Sequence, residues 1–304
     1  GKIPSPKLLV AAFAEIRPRA IFTVPLVLEK IFKKQIKPKL DKAVVKVLLK
    51  VPGVGNALLG KIRAKLMTVF GGEVLEIVIG GAALSPEVED FFKKIRIPIT
   101  VGYGMTECGP LISYSPATEH RAGSIGRVLA GLMEVRINDP DPQSGIGEIF
   151  TRGEHLMYGY YKNKEATEEV LDREGWLHTG DLGYIDGAGF IYIKGRSKSM
   201  YLGPSGENIY PEPIEAKLNE MDYVQESVVV MREGRLVALV YPDYEKADAT
   251  KTGEHGMDRI MEKNRLELNR QLPAYSQVTR IILHPEEFEK TPKKSIKRFL
   301  YTAG

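Results

Sequence analysis

The chain has 304 residues, 43% hydrophobic and 27% charged, a globular composition long enough for two domains. A single cysteine, Cys108, excludes an intramolecular disulfide framework and fits a reducing compartment. With no stretch that reads as a secretory signal or a bilayer span, a cytoplasmic location is expected. The net charge of +4 is too small to call for nucleic acid, and the basic residues carry neither interleaved aromatics nor a nucleic-acid motif.

Ser5-Pro6 opens a helix, a cap followed by proline in the first turn. Leu8, Leu9, Ala12, Phe13 and Ile16 follow at helical period until Pro18 stops them. Ala20–Val24 reads as a buried strand, and Pro25 opens another helix carrying Leu28, Ile31 and Phe32. This opening looks like the middle of an α/β layer. Between Lys30 and Lys65 basic residues greatly outnumber acids. Lys42, Lys46 and Lys50 share one helix face at i, i+4, i+8, while Val45, Leu48 and Leu49 lie on another. Such a helix either rests on anionic lipid as a peripheral membrane contact or packs its apolar face on the protein.

Val74–Ile79 reads as a strand ending in Gly80-Gly81-Ala82-Ala83. Ser85-Pro86-Glu87 then starts a helix with Val88, Phe91, Phe92 and Ile95 at i, i+3, i+4, i+7. Pro98–Val101 is a second strand, ending in Gly102-Tyr103-Gly104-Met105-Thr106-Glu107. This βαβ unit predicts parallel strands with both glycine loops at their carboxyl ends, where open α/β sheets bind ligands. Gly80-Gly81-Ala82 offers backbone against which a flat base can lie, and Tyr103 can cover the other face of that base. Thr106 supplies a hydroxyl for a phosphate oxygen, and Glu107 a hard oxygen for Mg²⁺. Cys108 reads as a small packing residue, with no histidine paired to it locally.

From Arg121 the texture changes to short alternating segments. Ser124–Val128, Met133–Ile137 and Gly147–Thr151 read as strands of a small barrel or a distorted sheet. Gly159-Tyr160-Tyr161-Lys162-Asn163 precedes a short helix, Lys164–Leu171. Two strands, Leu182–Ile185 and Phe190–Ile193, then flank the turn Asp186–Gly189. Ahead of this hairpin sits Thr179-Gly180-Asp181, whose carboxylate can accept two hydrogen bonds from a sugar diol. Behind it, the Arg196 guanidinium suits a phosphate or ribose oxygen. His178 is expected on the turn before Asp181, in a structural role.

Beyond Lys198 the chain reads as a compact α+β unit. Ser199–Leu202 and Asn208–Tyr210 flank a turn, and Pro211 opens a helix to about Met221. Val224–Met231 and Leu236–Tyr241 form a hairpin, Asp258–Leu272 a helix and Val278–Leu283 a last strand.

The elements W-x-H-T-G-D (Trp176–Asp181) and G-R-x-K (Gly195–Lys198) match, in order and spacing, the adenylate-forming superfamily of acyl-CoA synthetases, luciferases and peptide-synthetase adenylation domains. The resemblance covers nearly the whole chain. The segment Gly206–Glu215, G-E-N-I-Y-P-E-P-I-E, most resembles that of long-chain fatty-acid CoA ligases. The resemblance implies an α/β partial sheet with a small β-barrel-like subdomain, then a small α+β C-terminal domain. Residues 1–197 would be the C-terminal part of the large domain, α/β to about 118 and β-rich from about 119. Residues 198–304 would be the small domain, turning about Lys198 between two half-reactions. The implied ligands are ATP or AMP, Mg²⁺, CoA and a fatty acid. Adenine falls to Gly80, Gly81, Ala82 and the Gly102–Met105 loop (Gly102, Tyr103, Gly104, Met105), phosphate to Thr106, metal to Glu107, and ribose to Asp181 and Arg196.

Near the end the family pattern T-x-x-G-K-I-x-R meets Thr291, Ile296 and Arg298. This alignment places Ser295 at the position of the family's lysine, so either Lys294 takes over from one residue earlier or that function is missing. The family's phosphate loop is absent and is expected upstream of residue 1, so the chain reads as a fragment with little ligase activity alone. The leading expectation is an ATP-dependent fatty-acid CoA ligase. The alternatives are a fatty acyl-AMP or acyl–carrier-protein ligase, and a non-catalytic nucleotide-binding module.

Overall fold

A computed structural model describes residues 6–203, 206–291 and 296–302. Helix α1 (Pro6–Ile16) ends ahead of Pro18, and Pro25 occupies the first turn of α2 (Pro25–Ile31). Between them runs β1 (Ala20–Thr23). The buried strand expected here is corrected: β1 alternates exposed and half-exposed residues, and Phe22 is 80% exposed. It lies at the edge of its sheet, and a short apolar run does not distinguish an edge strand from a covered one. Helix α2 continues into a π-helical turn, Phe32–Ile36, which brings Phe32 and Ile36 inside, and then into α3 (Lys37–Leu40). Next come α4 (Ala43–Lys50) and α5 (Val54–Val69).

Strand β2 (Glu76–Ile79), α6 (Pro86–Lys94) and β3 (Ile99–Val101) form the predicted βαβ unit. All pairings in the sheet β1-β2-β3 are parallel, with Ala20 beside Glu76 and Ile77 beside Ile99. Val88 and Phe92 of α6 are fully buried, and Phe91 meets Phe32 with ring centroids 5.0 Å apart. Each such side chain contributes about 1.5–3 kcal/mol by leaving water. Acidic Glu87 and Glu89 in the first turn and basic Lys93 and Lys94 in the last complement the helix dipole.

A second sheet joins β4 (Tyr103–Gly104), β5 (Leu111–Tyr114) and β6 (Arg127–Val128). Strands β7 (Met133–Asn138) and β8 (Gly147–Gly153) follow, then α7 (Lys164–Val170), capped by the Asn163 side chain. Strands β9 (Leu177–Ile185) and β10 (Ile191–Arg196) complete a four-stranded sheet of order β10-β9-β8-β7. The barrel expectation is corrected, since these segments form open sheets and no closed barrel occurs among the described residues. The alternative reading, a distorted sheet, describes them better.

The remaining chain comprises β11 (Tyr201–Leu202), β12 (Asn208–Ile209), α8 (Pro211–Leu218), β13 (Val224–Arg232), β14 (Arg235–Pro242), α9 (Tyr244–Ala249), α10 (Glu254–Arg270) and β15 (Val278–Leu283). Glu233 and Gly234, both at positive φ, form the two-residue turn of the β13–β14 hairpin. Strand β14 pairs antiparallel with β13 and parallel with β15. On one face of this sheet Val229, Leu236, Ala238 and Val240 join Ile214 and Leu218 of α8 and Met257, Met261 and Leu268 of α10. On the other, Val228, Val230, Val237 and Leu239 join Phe288. Burial on both faces explains the unbroken apolar runs V-V-V and L-V-A-L-V.

The chain forms two compact units. One takes residues up to Arg136, Thr151–Leu177 and Ile185–Tyr192; the other takes Ile137–Phe150, His178–Tyr184 and the residues from Ile193 onward.

Candidate functional site

In the first unit, the loops after β2 and β3 leave neighbouring parallel strands at the same end. Gly80 N donates to Thr23 O at 3.0 Å and Gly102 N to Ile79 O at 2.9 Å, so the two loop starts are stitched side by side. Gly81 and Ala82 are exposed, and Gly81 has φ +88°, a conformation that favours glycine. Gly104 stands where a Cβ would collide with the Pro110 carbonyl oxygen. Met105 N donates to that same oxygen at 2.8 Å, closing the loop. Tyr103 is buried in β4 and, of this set, offers little ring surface to a ligand.

A short 3₁₀ turn, Thr106–Cys108, holds Thr106 exposed and Glu107 half-exposed. Met157 N donates to Glu107 O at 2.7 Å, and Tyr160 Oη donates to Glu107 Oε1 at 2.9 Å. Burial, then the bond to this carboxylate, pushes the Tyr160 phenol upward. The Tyr160 contact was not legible in the sequence, because its partner lies 53 residues away. The only sequence signal is the G-Y-Y-x-N segment itself.

Cys108 is fully buried, and burial followed by the Glu107 charge raises its thiol to about 12. It is a packing residue. Among the described residues, no group of three or more His, Cys, Asp and Glu could hold a metal. A single accessible carboxylate fits Mg²⁺, which takes one or two carboxylates and completes its shell with water and phosphate.

In the second unit, Thr179, Gly180 and Asp181 lie within β9, which corrects the turn expected for them and for His178. Gly180 breaks the strand's regular course with φ +71°, and its N–H donates to Glu148 Oε1 at 2.9 Å. Thr179 Oγ1 donates to Ile149 O at 2.7 Å and accepts from Asp181 N at 3.1 Å. His178 stacks on Phe150 at 3.9 Å, in keeping with a structural role. These contacts fix Asp181, which is 4% exposed, and Arg196 Nε pairs with its Oδ1 at 2.8 Å. The two residues assigned to ribose are thus brought together, a buried carboxylate with a guanidinium more than half in water.

Lys294 and Ser295 lie outside the described residues. The chain on either side is held firmly: Lys290 bridges to Ile296, and Lys297 N donates to Glu289 O at 2.8 Å. Arg298 forms a bidentate pair with Glu215 of α8.

A sheet edge with two glycine loops, a Thr-Glu turn and a strand-borne Asp–Arg pair is the outline of an adenylate-forming enzyme, and comparison bears out the class. The AMP-binding enzyme family matches residues 1–161, and the AMP-binding enzyme C-terminal domain matches residues 202–303. The chain belongs to the AMP-binding enzyme family.

Among individual proteins it is similar to long-chain-fatty-acid–CoA ligase ACSBG2 of Rattus norvegicus, 40% identical over 157 residues, 51% of this chain and 23% of that protein. The Gallus gallus ACSBG2 is 34% identical over 250 residues, 75% of this chain and 32% of its own length. The chain therefore spans about a quarter to a third of these relatives. Two solved structures share the fold. The adenylation domain of a carboxylate reductase from Mycobacterium chelonae aligns with TM-score 0.76 at 23% identity, covering 95% of this chain and 45% of that one. O-succinylbenzoate coenzyme A synthetase (MenE) from Bacillus subtilis, in complex with AMP, aligns with TM-score 0.72 at 20% identity, covering 99% and 54%.

Proposed function

We propose that this chain supplies the adenylate-handling residues and small C-terminal domain of an ATP-dependent fatty-acid CoA ligase. The similarity to long-chain-fatty-acid–CoA ligases supports the substrate class. The observation that carries the adenylate assignment is the Asp181–Arg196 pair, a buried carboxylate held within a kinked strand with one oxygen engaged by a guanidinium.

In the first step a fatty carboxylate oxygen attacks the α-phosphorus of ATP, the bond to pyrophosphate breaks, and acyl-AMP forms. Gly80, Gly81, Ala82, Gly102, Gly104 and Met105 seat the adenine, with the buried Tyr103 supporting their loop, and Asp181 accepts from the ribose hydroxyls with Arg196 beside it. Thr106 donates to a phosphate oxygen. Glu107 would hold Mg²⁺, whose charge would offset that of the triphosphate. The positive charge that the family's lysine supplies to the attacked phosphate falls to Lys294 or is missing from this chain. In the second step the CoA sulfur attacks the acyl carbon, the bond to AMP breaks, and the thioester leaves with the thiol proton lost to solvent. Residues 198–304 turn about Lys198 between the two steps. Catalysis here is positioning and charge stabilisation, so no acid–base dyad is required.

The test is AMP binding to the chain by titration calorimetry, with Asp181→Ala as comparison. Loss of the ribose hydrogen bonds to a charged acceptor lowers affinity by roughly 10- to 200-fold. Equal affinity in a folded variant removes Asp181 from the site.

A further inference from the structure

Helix α4 has three faces. Val45 and Leu49 are half-buried toward α5, where the close approach of Gly55 to the Leu49 backbone leaves no room for a Cβ. Val44, Val47 and Leu48, at i, i+3 and i+4, form an outward stripe instead; Val44 is 70% and Val47 63% exposed. Val51 and Val54 extend this apolar surface beyond the helix. The sequence pattern places lysines on one face and apolar residues on another, but it does not reveal that the apolar residues divide into a covered pair and an uncovered stripe.

The same stretch is strongly basic. Asp41 is the one acid between Lys30 and Lys65, and Lys46 already engages it at 2.9 Å. Lys39 on α3 and Lys42 and Lys50 at the two ends of α4 are exposed, with no carboxylate partner among the described residues. A helix that only caps a protein core turns its apolar residues inward. Here valines and unneutralised lysines face water together. No single described helix is long and apolar enough to cross a membrane; α4 and α5 reach that length and hydropathy only together, across a bend of 114°.

We propose that α4 and its flanks, residues 39–54, seat this chain on an anionic bilayer. Val44, Val47, Leu48 and Val51 enter the boundary between headgroups and acyl chains, and Lys39, Lys42 and Lys50 engage lipid phosphates and carboxylates. Charge complementarity selects this occupant, since a second copy of the same surface would set lysines against lysines. The assignment does not depend on the ligase reaction.

The full chain is sedimented with vesicles of phosphatidylcholine alone and of phosphatidylcholine mixed with phosphatidylserine. Binding is expected to the anionic vesicles and to weaken as salt rises. The triple variant Lys39→Gln, Lys42→Gln, Lys50→Gln weakens it roughly a hundredfold, from about fivefold per lysine. Val44→Asp with Val47→Asp abolishes it, whereas Leu266→Asp, at an exposed leucine of α10, leaves it unchanged. Circular dichroism checks that each variant keeps its fold, and the lysine set, lying wholly in water, remains informative if the valine pair does not. Equal binding to both vesicle types overturns the proposal, as does binding unaltered in the lysine variant. So does a dimer in sedimentation velocity that Val47→Asp converts to monomer, since a second copy would then be the occupant.

Discussion

Arg298→Met should loosen the small sheet by leaving Glu215 charged without its guanidinium partner. The two guanidinium nitrogens, Nη1 and Nη2, donate to Glu215 Oε1 and Oε2, each at 2.6 Å, and Nη1 also donates to Val229 O at 2.9 Å. Glu215 Oε1 accepts from Val229 N at 2.6 Å, so the pair ties α8, β13 and the C-terminal residues into one knot. The side chains are 19% and 12% exposed, so solvent screens them little. Removing one partner of such a pair costs about 3–5 kcal/mol. Replacing both, with Glu215→Leu added, should recover most of that loss, because the desolvation of the carboxylate disappears with its charge.

The pH dependence follows from the same contacts. Burial holds the Glu215 carboxyl above its ordinary value, with the Arg298 bonds opposing the rise. Without Arg298 that opposition is gone. A raised folded value means that the protonated form contributes stability below the unfolded value and loses it as pH climbs through the folded one. The single variant should therefore be weakest at neutral pH and partly relieved in acid. Hydrogen exchange of β13 amides reads the effect directly, with protection at Val229 falling by roughly two to four orders of magnitude. A fall of less than tenfold, or a double variant as damaged as the single one, would refute this account of the pair.

Three other expectations concern the first unit. With burial holding the Cys108 thiol at about 12, the folded chain should resist iodoacetamide at pH 8 and react only when urea restores the ordinary value; rapid alkylation of the native chain would show that the thiol is accessible. Tyr160→Phe removes the hydrogen bond that orients Glu107 and should weaken Mg²⁺-dependent ATP binding roughly fivefold while sparing metal-free AMP binding, both read by calorimetry. Gly104→Ala forces a Cβ toward the Pro110 carbonyl and should cost about 1–3 kcal/mol, seen as a lower melting temperature; an unshifted melt would mean the loop yields freely.

Much of the fold was legible because it is local. Pro6, Pro25, Pro86 and Pro211 mark helix starts, the apolar spacing from Val88 to Ile95 names the buried face of α6, and the runs Val224–Met231 and Leu236–Tyr241 announce their hairpin. Glycine loops after two parallel strands point to one end of a sheet before any coordinate is seen. The strand course of Thr179-Gly180-Asp181 was not legible, since Gly180 hides the alternation behind a positive φ and a bond to Glu148.

By itself, then, the sequence determined the order of elements, the two-strand glycine cradle and the position of the family signatures. These depend on residues within a turn or a strand of one another, where sterics and periodicity act directly. Only tertiary structure decided that Asp181 and Arg196 touch, that Tyr160 holds Glu107, and that Arg298 closes on Glu215 across 83 residues. It also decided that β1 is an edge and that α4 leaves a valine stripe uncovered. Periodicity reports which side of an element is apolar. What covers that side, and which distant polar group meets another, depends on where the rest of the chain returns in space.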